Sequence, residues 1–320
     1  MGRATVILPG VFFALTIGSW AVPNAGAAHS AFHSQNSKAP RNLNSSTLSL
    51  PAPVRFREEK DRGLLVRAWI NDRGPFTVAV DTGAGLTIVS DSLARQAGLN
   101  VTQGRPTVLT GLSGREVTAR HAVINRIALG DPGNVMPARI QTAIAATLPS
   151  GIDVVLDPTD TYAPFGYSID LPNGRIAAFD PKSDGLNPHQ PPPDGAVVPW
   201  LRNGQSNRPF VRLGDGRLAL VDTGSNLGLA ISAILVGNRS DARTGSSRDL
   251  GGGTFRSTRV APSTVTIGAL VLNGVPTDIL SGVETAAPVI LGRDALYPFK
   301  ISFDPLRRLI EIAPSMQDRQ

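Results

Sequence analysis

The chain has 320 residues, of which 41% are hydrophobic and 18% are charged, and its formal net charge is +6. This is ordinary for a globular protein with a buried core, and the length suffices for two domains. The chain has no cysteine, which excludes disulfides, thiolate nucleophiles and cysteine-ligated metals. The basic residues are scattered without stacking aromatics between them, so we expect no nucleic-acid partner.

The N-terminal residues 1–27 have the features of a signal peptide. Arg3 supplies a positive start, residues 4–22 are almost wholly apolar, and residues 25–27 read Ala-Gly-Ala. We predict cleavage after Ala27, export to the periplasm or the medium, and no stable membrane insertion afterwards. An uncleaved membrane anchor is the alternative, because the apolar run is almost long enough to span a bilayer.

The rest of the chain divides into two halves and three irregular segments. A Ser/Asn/Pro-rich stretch after the signal predicts a flexible tether, and a proline-rich stretch near the middle predicts a linker without regular structure. The predicted segments are a tether at 28–52, a first lobe at 53–180, a linker at 181–195, a second lobe at 196–314 and a tail at 315–320.

The two halves carry matching landmarks in the same order. An apolar segment, 74–80 or 216–221, leads into each of two Asp-Thr-Gly triplets, at Asp81 and Asp222. Later, residues 162–170 parallel residues 297–304 with one residue inserted. Such matches in one order predict an internal duplication.

Between these landmarks the pattern is one of short strands broken by glycine turns. Residues 117–129 and 264–272 alternate as strands do. Residues 91–98 predict a short helix, with Ser90 or Asp91 as its N-cap and Gly98 closing it. Each half is therefore predicted to be mainly β.

The two triplets have the residue types that a pair of cooperating carboxyl groups needs. A buried strand carries Asp81 or Asp222 into the interior, and the following threonine can hydrogen-bond a neighbouring loop. Glycine lets the loop turn sharply and a second backbone approach closely. Two carboxylates in contact cannot both ionise, so they share one proton. One then acts as a base and the other as an acid at the same pH.

With these motifs, residues 54–314 resemble the retropepsin-like aspartic proteases, in the two-lobed single-chain form typical of exported bacterial members. The resemblance implies two homologous β-barrel lobes related by a pseudo-two-fold axis, with Asp81 and Asp222 catalytic. It also implies support for the catalytic loops, from Thr82, Gly83, Thr223, Gly224, Ser225 and Gly292. Small residues, Ala84 and Ser225, follow the triplets as the family pattern requires.

The second half also matches a later family signature, two hydrophobic residues followed by Gly292, whose strand is implied to thread behind the catalytic loop. The first half departs from it, because Asp157 and Pro158 follow Val155-Leu156. We expect Asp157 to be a surface turn residue; the alternative is that it distorts the support of the Asp81 loop.

The resemblance further implies two β-hairpin flaps over the substrate. The first candidate spans 110–117 with Gly111 and Gly114, and the second spans 250–255 with Gly251 and Gly252. The alternative for both is an ordinary hairpin tip.

The sequence therefore predicts an aspartic endopeptidase that activates a water between two carboxylates, without metal or cofactor. Its expected partner is an extended peptide or protein substrate, and the protein is expected to be a monomer. One alternative is a non-catalytic peptide-binding protein that retains the fold, which Asp157 would favour. Another is an enzyme whose lobes pair between two chains.

Overall fold

The computed structural model describes residues 11–12, 15–17, 49–146, 148–203, 206–236, 244–249 and 252–316. Strands make up 53% of the described residues and helices 7%, which confirms the prediction of a mainly β fold. Most of the predicted signal peptide and tether lie outside the described residues, as does the end of the predicted tail.

In the described part of the chain, four short helices lie among the strands. The strands are β1 (Val11–Phe12), β2 (Leu15–Ile17), β3 (Val54–Arg55), β4 (Arg57–Glu59), β5 (Gly63–Ile70), β6 (Arg73–Val80), β7 (Thr87–Ser90), β8 (Thr107–Gly111), β9 (Glu116–Ile124), β10 (Ile127–Leu129), β11 (Ile140–Ala145), β12 (Val154–Leu156), β13 (Gly166–Asp170), β14 (Arg175–Phe179), β15 (Ala196–Pro199), β16 (Leu201–Asn203), β17 (Ser206–Arg212), β18 (Leu218–Asp222), β19 (Leu229–Ser232), β20 (Thr244–Asp249), β21 (Thr254–Ile267), β22 (Leu270–Ser281), β23 (Val289–Gly292), β24 (Phe299–Asp304) and β25 (Leu309–Pro314). The helices are α1 (Asp91–Gln96), α2 (Pro158–Tyr162), α3 (Ala233–Val236) and α4 (Arg293–Leu296).

Two large sheets share a strand order; each is built from one half of the chain, except that β1 joins the sheet of the second half. The first runs β10-β5-β6-β12-β7-β11-β9-β8-β2, with β4 beside β5, and the second runs β16-β17-β18-β23-β19-β22-β21-β20-β1. In the first sheet β12 is parallel to β6 and β11 is parallel to β7. In the second, β23 is parallel to β18 and β22 is parallel to β19. The strands that precede the two Asp-Thr-Gly triplets, β6 and β18, therefore hold equivalent central places.

A third sheet joins the ends of the two halves in the order β15-β25-β24-β13-β14-β3. At its centre β13 and β24 pair antiparallel, with Tyr167 opposite Phe303. Their rings stack with centroids 4.8 Å apart, and Trp200 meets Phe303 edge-on at 5.9 Å. The segments 162–170 and 297–304, noted for their similarity, thus lie side by side.

Most local predictions are confirmed. Helix α1 begins after Ser90, whose side chain accepts a hydrogen bond from the Leu93 N–H, and Gly98 follows with a φ of +61°. The strand predictions over 117–129 and 264–272 are wrong in extent. Residues 125–126 separate β9 from β10, and Gly268 at φ +57° turns the chain between β21 and β22. The linker 181–195, whose residues are all described, holds no helix or strand.

The apolar core continues across both halves. Val80 and Leu156 of the first half belong to the same buried cluster as Val221 and Leu291 of the second. The two Asp-Thr-Gly loops therefore rest on one shared core. None of the helices in the described part of the chain has the length and apolar character that a membrane crossing requires.

Candidate active site

The structure brings the two Asp-Thr-Gly loops together at the junction of the halves. Asp81 directly follows β6, and its N–H donates to the carbonyl of Leu156 at 3.0 Å. Asp222 is the last residue of β18 and lies opposite Gly292 of β23. Both aspartates have no exposed surface. Each carboxyl group is thus carried into the interior by a central strand.

The threonines hold the two loops against each other by hydrogen bonds in both directions. The Thr82 hydroxyl donates to the Val221 carbonyl at 2.7 Å and accepts from the Thr223 N–H at 3.0 Å. The Thr223 hydroxyl accepts from the Thr82 N–H at 3.2 Å and lies 3.5 Å from the Val80 carbonyl. Neither loop can shift without breaking bonds to the other.

The glycines make room for the carboxyl groups. A Cβ atom on Gly83 would lie 2.7 Å from Cγ of Asp222, and one on Gly224 would lie 2.5 Å from Cγ of Asp81. Each carboxyl group therefore packs against the backbone of the opposite loop. Any larger residue at either position would displace it.

One oxygen of each carboxyl group is held by backbone amides. Oδ1 of Asp81 accepts from the Gly83 N–H at 2.7 Å. Oδ1 of Asp222 accepts from the N–H groups of Gly224 at 2.9 Å and Ser225 at 3.0 Å. The Oδ2 atoms of both aspartates are buried and have no hydrogen-bond partner among the described residues. Two buried acceptors without partners are rare in proteins and identify this pair as a candidate functional site.

Burial and mutual contact raise the pKa values of the pair. Desolvation raises the pKa of Asp81 well above its usual range, and the charge of Asp222 raises it further. Desolvation also raises the pKa of Asp222, but interaction with the Asp81 carboxyl group, the N–H groups of Ser225 and Gly224 and the charge of Arg293 oppose this shift. Because two buried carboxyl groups interact, they titrate as one unit.

Gly292 and Arg293 stand directly behind the Asp222 loop. The Gly292 N–H donates to the Gly228 carbonyl at 2.9 Å, and a Cβ atom there would overlap the Leu227 carbonyl oxygen. The buried Arg293 guanidinium donates to the Thr223 carbonyl at 2.7 Å. It also reaches Glu58 at 2.9 Å and the Lys60 carbonyl at 3.1 Å, both in the first half. Gly292 and Arg293 therefore both contact the segment 223–228 that follows Asp222.

Asp157 is not the expected surface turn residue. It is 3% exposed, and its carboxylate caps α2 by accepting from the Thr159 N–H at 2.8 Å. Its own N–H donates to the Thr87 hydroxyl at 3.1 Å. The prediction is wrong because a helix, not a surface loop, begins at Pro158, a residue favoured at the first helical position. Burial, followed by the charge of Asp160, raises the pKa of Asp157 to about 7.

The two candidate flaps are hairpins whose tips meet. β8 and β9 turn through Gly114 at φ +79°, and β20 and β21 turn through Gly252 at φ +73°. Buried Asp249 accepts from the Ser113 N–H at 2.7 Å and the Ser113 hydroxyl at 2.6 Å. Of the named flap glycines, Gly251 lies outside the described residues.

Sequence reasoning missed Arg293, Arg208 and Asp249. Arg293 adjoins a recognised motif, so its position behind Gly292 could have identified it. Arg208 carried one weak signal, a charge within an apolar strand segment, and it is only 4% exposed. Among the described residues, no three His, Asp or Glu side chains cluster as metal ligands would.

Comparison with known proteins supports the interpretation of the first half. Residues 66–156 match a family model described as "Aspartyl protease". The match begins within β5, contains Asp81 and ends at Leu156, the last residue of β12. No curated protein matches the chain.

Proposed function

Residues 66–156 belong to the retropepsin-like aspartyl protease family, and from this premise we propose that the protein is an aspartic endopeptidase. Asp81 and Asp222, one from each half of the chain, are its catalytic residues. The observation that carries the proposal is the pair of buried, facing carboxyl groups whose Oδ2 atoms have no partner among the described residues. A water between these two atoms would satisfy both.

The chemistry follows from the shared proton. One carboxylate removes a proton from the water, while the other carboxyl group donates a hydrogen bond to the carbonyl oxygen of the scissile peptide. The water oxygen then bonds to the carbonyl carbon. The proton taken from the water passes to the leaving amine as the C–N bond breaks, so the dyad returns to its starting state. Fixed backbone N–H groups keep both carboxyl groups oriented during this cycle.

We propose an extended peptide or protein as the substrate. Residues 15–17 pair antiparallel with β8, and residues 11–12 pair parallel with β20. The strands of both candidate flaps therefore accept added extended backbone, which is how β-augmentation binds a peptide. We propose that the two hairpins act as flaps over such a substrate.

We further propose two duplicated lobes that complete one site within a single chain. The matching strand orders and the reciprocal threonine bonds support this arrangement. A protein truncated after residue 184 should then be inactive as a monomer, because it keeps only Asp81. Full activity of that monomer, with its mass checked by sedimentation, would place the site elsewhere.

Export is also a proposal, supported by the apolar segment and by Ala25-Gly26-Ala27. When the full chain is expressed in a Gram-negative host, the mature N-terminus should lie near Ala28. N-terminal sequencing of the periplasmic and membrane fractions tests this. An intact Met1 in the inner membrane would contradict cleavage but not the proposed activity.

The central experiment replaces the two aspartates by asparagine, singly and together, and measures cleavage of a mixed peptide library from acid to neutral pH. Each single variant should lose at least about 10³-fold in kcat/KM, and the double variant should lose no more, because the pair acts as one unit. Thermal unfolding of the same samples shows whether they fold. Asp157→Asn, outside the pair, should cost far less activity.

A non-catalytic peptide-binding protein would give a different result. The wild-type protein would then bind library peptides without cleaving them, and the asparagine variants would bind equally well. Cleavage that survives in Asp81→Asn but not in Asp222→Asn would instead contradict a cooperating pair.

A further inference from the structure

The two strands beside the catalytic aspartates differ at one position. In the first half β5 and β6 pair with Leu64 opposite Val80, so the next pair places Gly63 opposite Asp81. In the second half β17 and β18 pair with Phe210 opposite Leu220. The same register, continued by two residues, places Arg208 opposite Asp222. Opposite residues of an antiparallel pair project from the same face. A glycine thus neighbours one aspartate and an arginine the other.

Arg208 is held inside the protein beside the pair. It is 4% exposed, its carbonyl accepts from the Trp200 indole N–H at 3.0 Å, and its guanidinium lies 5.5 Å from the centroid of the Phe210 ring. Burial lowers the pKa of Arg208, while the charges of Asp222, Asp81 and Glu284 raise it, in that order. An arginine stays protonated in proteins, so a fixed positive charge neighbours Asp222.

Other groups around the pair also favour a negative charge on Asp222 over one on Asp81. Two backbone N–H groups donate to the Asp222 carboxylate and one donates to that of Asp81. The charge of Arg293 stabilises ionised Asp222, whereas Asp157, once it ionises above its pKa of about 7, opposes ionisation of Asp81. Cations and N–H donors favour a charged carboxylate, and a nearby anion favours the protonated form.

We propose that the pair is asymmetric, with Asp222 as the ionised base, Asp81 as the protonated acid, and Arg208 as the positioning residue that holds the charge on Asp222. This assignment rests on the proposed function. Asp222 takes the proton from the water, and the Asp81 proton goes to the carbonyl oxygen, which gives a neutral diol. Asp222 then protonates the leaving nitrogen as the C–N bond breaks, and Asp81 recovers a proton from a diol hydroxyl.

The assignment can be tested without substrate. Aspartate is labelled with ¹³C at Cγ, and Asp81→Asn and Asp222→Asn are titrated by NMR, with the double variant identifying the remaining signal. Asp222 in the first variant should titrate at least about one pH unit below Asp81 in the second. Equal values or the reverse order would overturn the proposal. The titration does not require the protein to cleave peptides. Its outcome therefore tests the assignment of charge separately from the proposed protease activity.

The part played by Arg208 has its own test in the pH profile of kcat/KM. The acid limb reports the ionised carboxylate, so Arg208→Gln should move it up by about one pH unit, and Arg208→Lys should restore at least half of that shift. Arg212→Gln is the matched control, because Arg212 is an exposed arginine on the same strand. An acid limb that stays in place in Arg208→Gln, or that moves equally in the control, would overturn the assignment. If Arg208→Gln does not fold, the Asp222 pKa is measured by NMR in a protein that carries both Arg208→Lys and Asp81→Asn. It should remain below the Asp81 pKa measured in Asp222→Asn.

Discussion

The two Asp-Thr-Gly loops are supported by different residues at equivalent places. Behind Asp222, Gly292 allows close approach and Arg293 binds the Thr223 carbonyl and the first half of the chain. Behind Asp81, Leu156 supplies a carbonyl and Asp157 begins a helix. One loop is therefore tied to the opposite half, while the other is tied to its own helix.

The difference shows that equal placement of two carboxyl groups does not require equal surroundings. The reciprocal threonine bonds fix the positions of both loops. The residues behind them then bring a cation to one side and a buried carboxyl group to the other. A nearby cation favours the ionised form of a carboxyl group, so the charge of Arg293 opposes the rise in the Asp222 pKa that burial causes.

The largest expected effect comes from breaking the support that crosses between the halves. Arg293→Met removes the bonds to Glu58 and to the Lys60 carbonyl and leaves the buried Thr223 carbonyl without its partner. The unsatisfied buried carbonyl alone costs about 1–3 kcal/mol. Chemical denaturation should show this loss in the free energy of unfolding. Arg217→Met is the control: its ion pair with Asp215 joins side chains that are 35% and 48% exposed, so about 0–1 kcal/mol is expected. Similar losses in both variants would contradict the role of Arg293.

The contribution of Asp157, which lies behind the Asp81 loop, to the free energy of unfolding should depend on pH. Because burial raises the pKa of Asp157 to about 7, the folded state favours the protonated form. The resulting stability is present below the unfolded pKa of about 4 and is lost as the pH rises through 7. Asp157→Asn keeps the helix cap and should therefore unfold like the wild type at pH 4. At pH 7.5 it should be more stable by about 2–4 kcal/mol.

Thermal or urea unfolding across pH 4 to 8 measures this gap between the variant and the wild type. Asp131→Asn serves as the control, because Asp131 is exposed in a turn. If the difference in the free energy of unfolding between Asp157→Asn and the wild type does not grow with rising pH, ionised Asp157 does not destabilise the fold. The two supports would then be electrostatically alike.

Much of this comparison was predictable from the sequence, but its electrostatic part was not. Alternating and apolar segments predict the strands, and the paired triplets identify Asp81 and Asp222, because both signals are local. Burial of Asp157 was not predicted, since only the fold shows that α2 begins there. The neighbours of the pair, Arg208 and Arg293, reach it across strands and between halves, and no local pattern encodes such distances.

A smaller effect is expected from filling the space behind the Asp222 loop. Gly292→Ala would place a methyl group against the carbonyl oxygens of Leu227 and Ser225, and overpacking costs about 1–3 kcal/mol. The loop should also shift, so kcat should fall while KM changes little. Gly104→Ala is the control, because nothing lies within 4 Å of a Cβ atom there. Equal stability and kcat in both variants would show that close approach at Gly292 is unnecessary.

The smallest expected effect concerns the hairpin tips, where the halves differ again. The second half supplies a buried carboxylate, Asp249, and the first half supplies its donor, Ser113. The Gly253 N–H also donates to Asp249 at 2.9 Å. Hydrogen bonds to a charged group are roughly twice as strong as neutral ones, so Asp249→Asn should weaken the contact without removing it. The tips should then separate more often.

Hydrogen exchange measures that separation directly. The amides of Ser113 and Gly253 should exchange about ten-fold faster in Asp249→Asn, since a loss of about 1.4 kcal/mol in the closed state is ten-fold in the opening equilibrium.

For a peptide held beneath the hairpins, KM should rise about two- to five-fold with kcat unchanged, because the weaker contact lowers binding and not chemistry. Arg115→Gln is the control: its guanidinium makes only a 3.3 Å bond to the Gly252 carbonyl at the same tip. If exchange is equally fast in both variants, the carboxylate of Asp249 is not what joins the hairpins. If exchange quickens while KM stays constant, the hairpins open without covering the substrate, and the proposed flaps are ordinary turns.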